Sequence, residues 1–209
     1  MSLPQTSRSG LPRSEDMLQE LRFRICNTAT DMPIMLHEGK LAQEFGVSRT
    51  PVRQVLQRLS FERLLETRSG VGTVVTALDP LQRDLHFSML SDMLRLCRRC
   101  CRTDHSMPAR MQIAAVVELS ANPGSDRLAS YFAIRTQLLE LTSGLVEDPI
   151  VAEALSALHW RVIRWHMQAA RADLDTAFRA LSGVVTRLAA TSSPADLLEC
   201  LAAEAAPRA

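Results

Sequence analysis

The chain has 209 residues, 46% of them hydrophobic, which is enough apolar material to bury cores in one large or two small domains and excludes a wholly disordered chain. Aromatic content of only 4%, with Leu, Ala and Arg abundant, favours packed amphipathic helices over a sheet-rich fold. A formal net charge of +1 excludes a globally basic nucleic-acid binder, so any contact with DNA has to come from local placement of charge.

No run approaches the roughly 18 to 20 uninterrupted apolar residues of a membrane helix. Met1 to Ser14 also lacks the apolar core of a secretory signal, so the expected location is cytoplasmic with no membrane partner. Five cysteines, with Cys97, Cys100 and Cys101 clustered and Cys26 and Cys200 apart, are not the spaced set of a secreted disulfide scaffold. Reduced thiols are expected.

Residues 1–14 are rich in Ser, Pro and Arg and read as a flexible arm. From Ser14, with Glu15 and Asp16 in the first turn, Met17, Leu18, Leu21, Ile25 and Cys26 make the apolar stripe of a first helix. Thr28 to Pro33 breaks the pattern, and a second helix begins near His37 or Glu38. Its apolar residues Leu41, Ala42 and Phe45 stop at Gly46, the residue that most readily takes a positive φ at a helix end. Ser48 is then placed to cap a third helix through its hydroxyl, and Pro51 is tolerated in the first turn, where N–H groups lack intrahelical partners. Val52, Val55, Leu56 and Leu59 form the buried stripe of this third helix. Thr50, Arg53, Gln54 and Gln57 fall on the opposite side, with Arg49 at the exposed first turn. Between Phe45 and Leu59 stand Arg49, Arg53 and Arg58 and no acid, so one helix end is locally positive. Glu66 to Arg68 and Thr73 to Thr76 then read as a short hairpin, with Gly70 and Gly72 permitting a tight tip.

The run Phe45-Gly46-Val47-Ser48-Arg49-Thr50-Pro51-Val52-Arg53, followed by this hairpin, resembles the winged helix-turn-helix of the GntR family of bacterial transcription regulators. The resemblance covers roughly residues 36–75. It implies binding to double-stranded DNA through Ser48, Arg49, Thr50, Arg53, Gln54 and Gln57 on the reading helix and Ser69, Gly70 and Gly72 at the wing. Gly39 stands where relatives commonly place a polar residue or Arg, Gln54 where they often carry Glu, and Val71 where an Arg is often found.

Asp79-Pro80 closes the wing, and helices are predicted over Leu81–Arg102, Pro108–Ala121, Asp126–Ser143, Pro149–Arg171, Asp173–Thr191 and Pro194–Ala206. The expected fold is mainly α: a winged helix-turn-helix over 15–79 and an antiparallel helical bundle over 80–209. This layout is similar to the FadR-type branch of the family, in its shorter six-helix form with an FCD-like effector domain, and the resemblance implies that the bundle binds a small-molecule effector and dimerises. Laying the branch's metal-ligand pattern on the chain puts Tyr131 and Arg135 at the first two positions and the later ones near Arg164 and Val184, and neither Arg nor Val ligates a divalent cation under ordinary conditions. No metal and no cofactor are therefore expected. If they point inward, Arg135 and Arg164, with His159 and Tyr131, would make a positive pocket for a small organic acid; the alternative is that both arginines are solvated or paired.

On a continuous helix, Cys97, Cys100, Cys101 and His105 would share a face, with Arg98, Arg99 and Arg102 near enough to depress a thiol pKa. Thiol sensing stands there against plain packing. No phosphate-binding glycine loop, His-Glu-x-x-His or Gly-x-Ser-x-Gly is present, so catalysis is not expected. The leading expectation is a homodimeric, effector-responsive transcription regulator acting as a repressor. Its alternatives are a protein-interaction scaffold whose winged domain no longer binds DNA, and a redox regulator using Cys97, Cys100 and Cys101.

Overall fold

The computed structural model describes residues 14–28, 34–68, 72–75 and 77–206. The expected wing-tip contacts Ser69 and Gly70, the departure at Val71, the end of the hairpin at Thr76 and the N-terminal arm to Arg13 lie outside these residues.

Helix α1 (Ser14–Asn27) carries the predicted stripe inward: Met17, Leu18, Leu21, Ile25 and Cys26 are all buried. Helix α2 (Glu38–Phe45) ends at Gly46, whose φ of 65° is the left-handed conformation that a Cβ would disfavour, and its N–H returns to the Gln43 carbonyl. Helix α3 (Arg49–Phe61) packs Val52, Val55, Leu56 and Leu59 against α1 and α2. Ser48 sits at its N-cap without a side-chain capping bond, contrary to expectation, and is exposed. Strands β2 (Leu65–Arg68) and β3 (Gly72–Val75) form the antiparallel wing, with Glu66 opposite Val74 and Arg68 opposite Gly72. A third strand, β1 (Ile34–Leu36), was not expected. It pairs antiparallel with the other edge of β3, Leu36 opposite Thr73, giving the order β1-β3-β2.

The remaining described chain is helical: α4 (Arg83–Cys97), α5 (Met107–Ala121), α6 (Arg127–Leu145), α7 (Pro149–Ala172), α8 (Leu174–Ala189) and α9 (Pro194–Ala205). Most starts are fixed by a side chain that takes an orphan first-turn N–H: Ser106 from Ala109, Asp126 from Ala129, Asp148 from Val151, Asp173 from Thr176 and Ser193 from Asp196. Proline follows in the first turn at Pro108, Pro149 and Pro194, where its missing N–H costs nothing. These helices form an antiparallel bundle in which α6 and α7 are central, α4 packs on α7 and α9, and α5 packs on α6 and α8.

One boundary differs. The helix expected to reach Arg102 stops at Cys97, because the chain turns and docks on the end of α6: Arg102 N–H donates to the Leu145 carbonyl at 2.9 Å and Glu147 N–H to the Cys100 carbonyl at 3.2 Å. Cys101 bridges Val146 in the same place. This tertiary pairing replaces the last turn and dissolves the single face proposed for Cys97, Cys100, Cys101 and His105.

The two regions meet through α1, which packs on α3 on one side and on α7 on the other. Arg22 is a buried polar residue at this junction. Its guanidinium pairs with both carboxylate oxygens of Glu62, just beyond α3, and its Cζ lies 4.9 Å from the centre of the Trp160 ring on α7.

Leu181 on α8 is fully buried. Replacing it with Ala is expected to lower the unfolding free energy by about 2–5 kcal/mol, read from the urea midpoint at constant m-value.

Candidate nucleic-acid interface and bundle cleft

On α3 the apolar stripe is turned to the core, which leaves Arg49, Thr50, Arg53, Gln54 and Gln57 exposed on one face, with Ser48 at its N-terminal end. Gly72 is exposed at the start of β3. The side chains expected to read DNA and lying within the described residues are therefore gathered between the first turn of α3 and the wing, beside a groove of about 670 Å³ lined by Arg53, Gln57 and Thr73 among others.

Sequence reasoning missed Glu38. From the first turn of α2 it accepts two hydrogen bonds from Arg53, Nε to Oε1 at 3.1 Å and Nη2 to Oε2 at 2.9 Å, the bidentate fork geometry. The hydrogen bond from Arg53 holds the Glu38 carboxyl below the usual range, Arg49 adding a smaller contribution of the same sign, and Glu38 in turn raises Arg53. Arg49 lies against Gly39, where a Cβ would stand 3.5 Å from its Nη2. The space a larger residue would use at position 39 is thus already occupied by a guanidinium. The signal was present in the sequence as the single acid in the first turn of α2, but its partner is fifteen residues away on another helix.

In the bundle, Arg135 on α6 is 6% exposed and fully engaged. Its Nη1 donates to Glu204 Oε1 at 2.7 Å, and its Nη2 and Nε donate to the Tyr131 hydroxyl at 3.2 and 3.4 Å. These three residues sit on the floor of an open cleft of about 950 Å³ between α4, α6, α7, α8 and α9, with Arg83, Phe87 and His166 on its walls. His159 lies deeper. Its Nδ1 is 3.3 Å from Thr142 Oγ1, and it borders a void of about 20 Å³ with Arg135 and Glu204, space for one water molecule. Burial, reinforced by the Arg135 charge, pushes His159 down to about 3, and the same causes take His166 well below its ordinary value.

Arg164 is a correction. It is buried but does not line the cleft with Arg135; burial lowers it, and its electrostatic neighbours are Cys26 on α1 and Arg161. On α7 the cleft face runs through His159, Ile163 and His166, and Arg164 points to the α1 side. The thiols are a second correction. Burial pushes Cys97 up to about 11 and raises Cys101 despite Arg98, whose charge is taken by Glu199 at 2.6 Å. An activated thiolate needs the opposite shift. Among the described residues, no group of three or more His, Cys, Asp or Glu side chains is placed to hold a metal ion, and no helix is long and apolar enough to cross a membrane.

Residues 13–75 match the profile of the bacterial regulatory proteins of the gntR family. They are a GntR-family helix-turn-helix domain. The chain is 41% identical over 59 residues to the gluconate operon transcriptional repressor of Bacillus licheniformis, covering 28% of this chain and 24% of that protein. It is 31% identical over 115 residues to an uncharacterized HTH-type transcriptional regulator in an unstable DNA locus of Streptomyces ambofaciens, covering 54% and 46%. The chain thus spans about a quarter and about half of the lengths of these two curated relatives. Among solved structures it is similar to E. coli McbR/YncC, at 16% identity, 92% coverage of both chains and a TM-score of 0.49. It is also similar to Lar, which controls expression of the Listeria monocytogenes agr system, at 16% identity, 95% and 96% coverage and a TM-score of 0.46. The relatives matched over the GntR-type domain are named as transcription regulators, not enzymes.

The low value for His159 fixes a pH dependence. Below about pH 6.5 the unfolded chain binds a proton that the native state refuses, so stability falls as pH drops from about 6.5 toward 3 and is insensitive to this group above 6.5. His159→Gln is expected to reduce the slope of unfolding free energy between pH 7 and 5, measured by urea titration at each pH, and to leave the share due to His166.

Proposed function

We propose that this chain is a sequence-specific, DNA-binding transcription regulator of the FadR-type branch, working as a homodimer and repressing transcription until a small organic acid occupies its helical unit. The observation that carries the reading is the GntR-type domain whose reading helix exposes Arg49, Arg53, Gln54 and Gln57 while burying every apolar residue of its stripe. Two such helices, presented by a dimer to major grooves about 34 Å apart, would read the two halves of a near-palindromic site. Ser48 and Thr50 supply phosphate or base contacts beside the positive start of α3. Ser69, Gly70 and Gly72 approach the minor groove.

The division into an arm over 1–14, a DNA-binding unit over 15–79 and an effector unit over 80–209 belongs to this reading. So does the dimer, supported by the apolar stripe Leu81, Leu85, Met89 and Leu96 that α4 and its approach leave exposed. The effector site we assign is the open cleft. Arg83, Arg135, Arg179 and Arg187 line it against Asp84, Asp173 and Glu204, a surplus of one positive charge that favours an anion. Arg135 is held by Glu204, so a carboxylate gains it only by displacing that partner. Tyr131 and Arg135, at positions where the branch commonly holds a metal, are bonded to each other, which supports metal-free operation. The ligand acts by its differential affinity for two dimer geometries.

Replacing Arg53 with Ala is expected to weaken binding to a DNA fragment from the chain's own promoter by roughly one to two orders of magnitude and to lower the salt slope by about one unit, in anisotropy titrations across ionic strength. Unchanged affinity and slope would remove Arg53 from the interface. Leu85→Glu is expected to convert the dimer to a monomer in sedimentation velocity; a wild-type protein that is already monomeric would refute the dimer.

A further inference from the structure

A second groove, of about 620 Å³, runs between α1 and α6, away from both sites described above. Helix α1 offers it Asp16, Gln19, Glu20 and Phe23, the spacing of a single helical face. Helix α6 offers Phe132, Thr136, Gln137 and Glu140, with Asp126 at its far end. The two helices run antiparallel here: Phe23 meets Phe132 edge to face at 5.3 Å between ring centres, and Glu140 lies within electrostatic reach of Glu15. Every charged side chain lining the groove is a carboxylate. Glu20 at one side of the groove is paired with Arg24 at 2.7 Å, whereas the cations nearest Glu140 are committed elsewhere, Arg22 to Glu62 and Arg58 to Glu15 and Glu62.

The acids alone would mean little on a solvated surface. Thr136 is different: it is 6% exposed, it lines the groove, and its Oγ1 has no partner. A threonine in a helix ordinarily returns its hydroxyl to the preceding turn, as Thr142 on the same helix does to Leu138 at 3.0 Å. Beside it, the buried Gln137 Oε1 is also without a donor. Leaving such groups unpaired is unfavourable unless something supplies the bond. Partial burial raises the Glu140 carboxyl, with Arg22 and Arg58 opposing the shift and Glu15 and Glu62 adding to it.

We propose that this groove binds a primary alkylammonium ion: the head donates to Thr136 Oγ1, Gln137 Oε1 and Glu140, and the alkyl stem lies on the Phe23–Phe132 pair. An ammonium group has three donors and no acceptor, which matches a wall made of acceptors. A bare metal ion would leave the aromatic floor unused, and the carboxylates are not gathered into a metal-holding group. The ligand would also bridge α1 of the DNA-binding region to α6 of the bundle, giving the protein a second input distinct from the cleft.

The test is isothermal titration of the full-length protein with 1,5-diaminopentane at fixed ionic strength, with magnesium chloride as a competing cation. One saturable site is expected. Thr136→Val and Glu140→Gln each weaken it about tenfold, Thr136→Ser restores it, and Glu153→Gln, an exposed acid on α7, leaves it unchanged. Glu140 is exposed, so its variant reports on binding even where Thr136→Val is poorly folded. The absence of a saturable heat, equal affinity in wild type and Glu140→Gln, equal weakening by Glu153→Gln, or full displacement by magnesium at matched charge each overturns the proposal.

Discussion

The junction between the helix-turn-helix region and the bundle holds a buried ion pair that includes Arg22. Arg22 is 5% exposed, and a guanidinium so far from water persists only because Glu62 accepts it bidentately and the Trp160 face covers it. Removing one partner of such a pair costs about 3–5 kcal/mol, because the other charge is left buried and uncompensated. Glu62 follows the last turn of α3, and Trp160 is in the middle of α7. One side chain therefore ties the end of the reading helix to the central helix of the bundle.

Around that anchor the charges are arranged in matched sets rather than as a uniform field. Arg53 with Glu38, Arg135 with Glu204 and Arg98 with Glu199 each place an arginine against a specific carboxylate, which for Arg135 is one of the outcomes the sequence left open. The consequences differ with burial. Arg53 and Glu38 are accessible, so an anion reaching Arg53 would exchange with Glu38 in a high-dielectric setting where exchange is inexpensive. Arg135 and Glu204 are enclosed, and exchange there requires a ligand that replaces the full set of hydrogen bonds.

Much of the architecture was legible because its signals are local. Asp148-Pro149, Ser193-Pro194 and Asp126 wrote helix starts to within a residue, and Gly46 wrote the turn, because caps and a left-handed residue act within a few positions. What was missed depends on distant partners. Strand β1 is three residues long, too short for an alternating pattern, and exists because β3 has a second edge. Helix α4 ends early because the residues after it pair with the Leu145 carbonyl at the end of α6 and the Glu147 N–H just beyond it. Arg164 was assigned by family position, although the helical period carried by His159, Ile163 and His166 already puts it on another face. The Glu38 fork lies between two helices whose crossing no single-helix reading supplies.

Strand β1 has a mechanical meaning. Its last residue, Leu36, pairs with Thr73 in the wing and stands two positions before Glu38, the carboxylate that grips Arg53. The wing is therefore not an independent flap: β3 is the middle strand, laced on one side to β2 and on the other to the segment that launches α2. Three paired residues tie the hairpin to the segment that leads into Glu38, the partner of Arg53.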